Sequence, residues 1–165
     1  MKFHKLKAGE VAGSYWVESP VTESDILLMA QQLANHRLSK GQALTDPHKV
    51  RKHLQVLLQD YPYEVFAILL LDGKHRIISF QELFRGSIDG ASVYPREVVK
   101  LVLEHNAAAV ILVHNHPSGD PAPSQADIGL THTLKSTLAL IGTNTLDHLI
   151  VGREGIVSLA EQGHL

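Results

Sequence analysis

The sequence has no cysteine. Disulfides and thiolate metal sites are thereby excluded, and any zinc must be held by histidine and carboxylate. Nor is there an excess of charge: 15 Lys and Arg stand against 17 Asp and Glu among 165 residues. Proteins that grip nucleic acid over a whole face usually carry a basic balance, so such binding is not expected here. Two short basic clusters, KFHKLK at 2–7 and HKVRKH at 48–53, read as solvated faces. No apolar run approaches the ~20 residues of a membrane-spanning helix. The opening MKFHKLKAGE lacks the apolar core of a secretory signal. The expected location is the cytoplasm, with no membrane partner. Internal repeats and low-complexity tracts are absent.

What is present is an ordinary globular composition, 44% hydrophobic and 19% charged, long enough for one domain with a single core. Residues 1 to 20 show no period and suggest an arm or extra strand. Over 24–38, Ile26, Leu27, Ala30, Leu33 and Ala34 fall at helical spacing, with Ser24 as the expected N-cap. A linker follows at 39–47. Thr45 or Asp46 then caps a helix with Pro47 in its first turn, and Val50, Leu54 and Leu57 line one face.

EVFAILLLD (64–72) is a continuous apolar run of strand length, which implies burial on both faces. DGK (72–74) reads as a tight hairpin turn, and 75–86 as the return strand. SIDGASVYP (87–95) is expected to be a loop with a short strand. Pro95 opens a helix in which Val98, Leu101, Val102 and His105 share a face, and AAAVILV (107–113) is a second buried strand. Ser124 starts another helix, with Ile128, Thr131, Leu134, Leu138 and Ile141 on one side and Gly142 as a left-handed cap. A third strand spans 145–152, and GIVSLAE adds an edge. Strands this apolar need helices on both faces. The expected fold is α/β, a three-layer α/β/α sandwich with a mixed sheet.

Chemistry concentrates in VHNHPSGDPAPSQAD, 113–127. Side chains at i and i+2 of a strand point the same way, so His114 and His116 project together at a strand's C-terminal end, where open α/β sheets bind ligands. The proline-rich loop after them delivers a helix whose first turn contains Asp127. Two imidazoles and one carboxylate leave a tetrahedral zinc one open position, the ligand count of a catalytic site. A plainer reading stands beside this one. S-x-x-D at Ser124–Asp127 is a helix capping box that needs no metal, and an acid in the first turn suits the helix dipole.

Several other histidine-pair enzymes do not fit. A metal-dependent barrel needs about 250 residues. A metallo-β-lactamase-like site wants aspartate two residues after the second histidine, where Ser118 stands. The zinc deaminase signature requires P-C-x-x-C. HNH nucleases scatter those residues over a metal finger instead of joining them in a tripeptide.

H-x-H, seven residues, Ser, two residues, Asp resembles the JAMM (MPN+) metalloprotease motif, matched by His114, His116, Ser124 and Asp127 without gaps. Together with the downstream LDHLIVG, the stretch looks like the RadC-like (DUF2466) branch of that superfamily, from about Thr45 to Leu159. The resemblance implies a cytidine-deaminase-like fold over 45–165, with 1–44 as an N-terminal arm and helix. It implies Zn2+ on His114, His116 and Asp127, Ser124 helping to hold the tetrahedral intermediate, and a glutamate at the head of an early strand as general base. Glu64 fits that place, although Ala67 stands where the family's pattern has glycine. Glu97 is the runner-up, with an alternative role as a first-turn helix acid. Longer RadC-like proteins carry a helix-hairpin-helix-like, DNA-binding type of region, this chain looks like a short form without it, and the family bears a DNA-repair label. The implied activity is hydrolysis of a peptide or isopeptide bond in an unknown protein substrate. The alternatives are a non-catalytic DNA- or protein-associated module, or a metal-dependent nuclease. Asn115 points away from the histidines and is assigned a structural role, Asp120 shapes the turn, and one of Asp147 and His148 can face the site as a partner to a ligand.

Overall fold

A computed structural model of the chain describes residues 4–38, 47–86 and 93–165. In chain order the elements are β1 (Leu6–Ala8), β2 (Tyr15–Val17), α1 (Glu23–Arg37), α2 (Pro47–Leu58), β3 (Val65–Leu71) and β4 (Ile77–Arg85). There follow α3 (Pro95–Glu104), β5 (Ala109–Asn115), α4 (Gln125–Ala139), β6 (Asn144–Gly152) and β7 (Gly155–Ser158). Residues 39–46 of the expected 39–47 linker, the Thr45 or Asp46 cap, and most of the 87–95 loop lie outside the described residues, and Pro47 itself opens α2. Among those residues, no helix is long and apolar enough to cross a membrane.

The apolar run at 65–71 becomes β3, buried at every position. It lies within a five-stranded sheet of order β4-β3-β5-β6-β7. β3 is antiparallel to β4 and β5, β5 is parallel to β6, and β7 returns antiparallel at the edge. Alternation along β3 splits the core in two. Val65, Ala67, Leu69 and Leu71 pack with Val50, Leu54, Leu57 and Leu58 of α2 on one face. Phe66, Ile68 and Leu70 pack with Val98 and Val102 of α3 and Leu134 and Leu138 of α4 on the other. Each fully buried leucine or isoleucine contributes roughly 1.5–3 kcal/mol relative to exposure. The result is the expected α/β/α arrangement around a mixed sheet.

Several local expectations shift. α1 begins at Glu23, capped by Thr22, not Ser24: the Thr22 hydroxyl accepts from Asp25 N–H, and Asp25 returns to Thr22 N–H. Its buried residues are Met29 and Ala34, while Ile26 and Leu27 are exposed. The arm is a two-stranded hairpin tied to α1, with His4 Nε2 and Lys5 Nζ both on the Asp25 carboxylate. The β3–β4 turn runs from Asp72 to Arg76, with the positive φ at His75 instead of a glycine. Arg51 is not freely solvated, since its guanidinium makes two hydrogen bonds to Glu161 at 2.6 and 2.8 Å.

Candidate metal centre

β5 extends two residues beyond the expected apolar core, through His114 and Asn115. His116 continues the line, its N–H on the Val151 carbonyl at 2.8 Å. The two imidazoles therefore emerge on one face, ring centroids 4.8 Å apart. The chain then turns at Gly119, φ 98°. The Gly119 carbonyl lies so close to Gly152 that a Cβ there would overlap it, and it also accepts from Glu154 N–H at 3.1 Å. Glycine at 152 is thus what lets the loop rest on the β6–β7 turn. From there the loop climbs to Ser124, the N-cap of α4.

Asp127 meets both histidines. Its Oδ1 is 3.2 Å from His114 Nε2, its Oδ2 is 3.7 Å from His116 Nε2, and the two Nε2 atoms are 3.0 Å apart. A tetrahedral ion with zinc–nitrogen bonds of about 2.0 Å separates its ligands by roughly 3.3 Å. The spacing of this donor set therefore fits one small cation. Among the described residues, His114, His116 and Asp127 form the His/Asp/Glu group able to hold a metal.

The protons are arranged for it. His116 Nδ1 lies 2.9 Å from the Asp120 carbonyl, which can only accept, so Nδ1 carries the proton and the neutral ring turns a bare Nε2 toward Asp127. His114 Nδ1 contacts His148 Nε2 at 2.9 Å. Burial pushes His148 well below its usual range, so it stays neutral. The Asp127 carboxylate raises His116 against the opposing effect of burial. Burial favours the protonated form of Asp127, but the adjoining His114 and His116 imidazoles and the hydrogen bond from Ser124 outweigh it and hold the carboxyl far below the carboxylate range.

The other sequence candidates separate clearly. Phe66 pairs with His114 across the antiparallel β3–β5 ladder. Continuing that register by two residues sets Glu64 level with His116 and on the same face, and the Glu64 charge is close enough to favour protonated His116. Asn115 faces the opposite way and clamps the backbone on either side of Glu64. Its Nδ2 donates to Tyr63 O at 3.1 Å, and its Oδ1 accepts from Val65 N–H at 2.7 Å. Sequence reasoning allowed Asn115 only a general structural role. The reach across fifty residues to Glu64's flanks depends on strand pairing and has no local signal. Glu97 sits in the first turn of α3, paired with Lys100 Nζ at 2.9 Å and Arg96 at 3.7 Å. Of the Asp147–His148 pair, His148 faces the site. Asp147 turns to the other side, where it accepts from Ser158 Oγ at 2.7 Å and lies 3.7 Å from Arg51. Thr131, on the α4 face that helical spacing defines, is fully buried with its Oγ1 2.6 Å from His148 Nδ1.

The RadC-like JAB domain family matches residues 44–164. UPF0758 proteins of Shewanella baltica, Shewanella putrefaciens and Shewanella oneidensis are 58% identical over 135 residues, covering 82% of this chain and 60% of each relative. The chain thus spans about three-fifths of the length of the curated relatives it matches.

Proposed function

This chain belongs to the RadC-like JAB domain family, and from that premise we propose that it is a zinc-dependent metallohydrolase cleaving a peptide or isopeptide amide. The observation that carries the reading is the convergence of His114 Nε2, His116 Nε2 and the Asp127 carboxylate within 3.0–3.7 Å. Both imidazoles turn their Nε2 atoms inward and Asp127 is held ionised, so the donor set suits a divalent cation once His116 is neutral.

When bound, zinc supplies Lewis acidity, polarising a carbonyl and bringing the pKa of a water toward about 7. Glu64, level with His116, is the residue that would accept a proton from the attacking water and hand it to the departing amine. Its backbone is braced for this: Tyr63 and Val65 are held by Asn115, and the Glu64 carbonyl accepts from Gly86 N–H at 2.8 Å. Ser124 is exposed at the mouth of the site, and its hydroxyl donates to Asp127 Oδ2 at 2.6 Å. Turned outward, the same hydroxyl donates to the oxygen on which negative charge develops.

Elemental analysis of protein purified without added metal tests the reading, followed by assay against linear and isopeptide-linked peptides. Stoichiometric zinc, and cleavage abolished by chelation and restored by zinc, are expected. A chain that carries no zinc and takes none up on titration overturns the proposal.

A further inference from the structure

His148 lies beneath His114 with no exposure to solvent, and both of its ring nitrogens are engaged. Nε2 is 2.9 Å from His114 Nδ1, and Nδ1 is 2.6 Å from Thr131 Oγ1. Thr131 Oγ1 is in turn 2.6 Å from the backbone carbonyl of Asp127, one helical turn earlier. A carbonyl has no proton to give, so the single hydroxyl proton of Thr131 goes to it. The threonine oxygen must then receive a proton from His148 Nδ1. That leaves His148 Nε2 as an acceptor, and His114 Nδ1 as the donor to it.

We infer that Thr131 and His148 are positioning residues that lock His114 into the Nδ1–H form, so that its Nε2 reaches the cation site without a proton. The inference rests on the metal reading above and adds to it the device that prepares one ligand. The reverse proton order would put a hydrogen on His114 Nε2, between the atoms that would hold the ion. The relay also closes on itself. It starts at the main chain of Asp127 and ends at the imidazole that shares the cation with the Asp127 carboxylate. A single turn of α4 therefore sets both the carboxylate and the tautomer of the histidine facing it. Partners of this kind, holding a ligand from behind, typically contribute about 10–100-fold in metal affinity.

Nitrogen-15 NMR of histidine-labelled protein, zinc-free and zinc-loaded, reads which ring nitrogen of His148 carries the proton. Zinc affinity is measured in parallel by chelator competition for Thr131→Val, Thr131→Ser, His148→Phe and His148→Gln. The expected result is Nδ1–H at His148 in the zinc-loaded chain. Thr131→Val and His148→Phe lose about 10–100-fold in affinity. Thr131→Ser and His148→Gln keep an oxygen where the relay needs an acceptor and recover most of it. A proton on His148 Nε2 in the loaded protein, or unchanged affinity in Thr131→Val and His148→Phe, overturns the relay alone. A wild-type chain that takes up no zinc overturns the metal reading and the relay with it. The NMR measurement uses wild-type protein, so it decides the proton order even if His148→Phe does not fold.

Discussion

Ser124 and Asp127 hold each other through three hydrogen bonds. Ser124 N–H and Oγ–H both reach Asp127 Oδ2, at 2.7 and 2.6 Å, and Asp127 N–H returns to Ser124 Oγ at 3.2 Å. Oδ1 is left facing His114 Nε2 at 3.2 Å. The capping box and the metal reading are therefore the same structure: the cap occupies one carboxylate oxygen and aims the other.

Asp127→Ala removes both functions and is expected to abolish stoichiometric zinc. Ser124→Ala keeps the carboxylate but loses the cap, at a cost of about 1 kcal/mol, and retains zinc with weakened affinity and slower hydrolysis. Elemental analysis and thermal unfolding of the two variants check this. Equal zinc loss in both would show that the cap, and not the carboxylate, governs the site.

Glu64→Gln separates binding from chemistry. The variant should hold zinc as tightly as the wild type and lose about 10²–10⁴-fold in rate. Full activity would place the base elsewhere, and Glu97→Gln would be the next substitution to assay.

Asn115→Ala is expected to act through Glu64. It leaves the buried Val65 N–H without the side-chain acceptor it uses, at a cost of about 1–3 kcal/mol, and frees the strand end that carries the carboxylate. Turnover should fall while zinc content stays near that of wild type. Loss of zinc in step with activity would show that the clamp serves the histidines instead.

Acid should weaken zinc binding. Asp127 raises His116 above its ordinary 6.5, and below that raised value a proton must leave before an ion enters. Affinity should therefore climb with pH until His116 is fully neutral, then level off. Chelator competition from about pH 5.5 to 8 covers the range. In the zinc-free chain the sign for stability is the opposite. The contribution of protonated His116 is complete below 6.5 and fades as pH rises through the raised value. A flat affinity profile would exclude this coupling.

Gly152→Ala places a methyl group against the Gly119 carbonyl. Overpacking of this kind costs about 1–3 kcal/mol, and the displaced loop carries the Asp120 carbonyl that orients His116. Both melting temperature and zinc affinity should drop. An unperturbed variant would mean that the loop yields without moving His116.

The candidate metal-binding group was legible because its members lie within one short stretch, where strand periodicity puts His114 and His116 on one side and a capping box sets Asp127. The cap of α1 is Thr22 and not Ser24: both residues are common caps two positions apart, and the reciprocal Thr22–Asp25 bonds decide between them. Helical spacing alone also misplaces part of the apolar stripe of α1. Ile26 and Leu27 stand at helical spacing, yet neither side chain is buried in the chain as described.

The sequence by itself determined the alternation of strand and helix, the two-sided burial of 65–71, and the donor types that can meet a cation in a chain without cysteine. These follow from residue chemistry and from periods of 2.0 and 3.6 residues, which are local. Only the tertiary structure decided that Asn115 braces the backbone beside Glu64, that His148 and not Asp147 backs His114, and that Thr131 reaches His148. Each of those depends on strand register and on which helix covers which face, and a hydrogen bond spanning 17 to 52 residues leaves no period in the sequence to read.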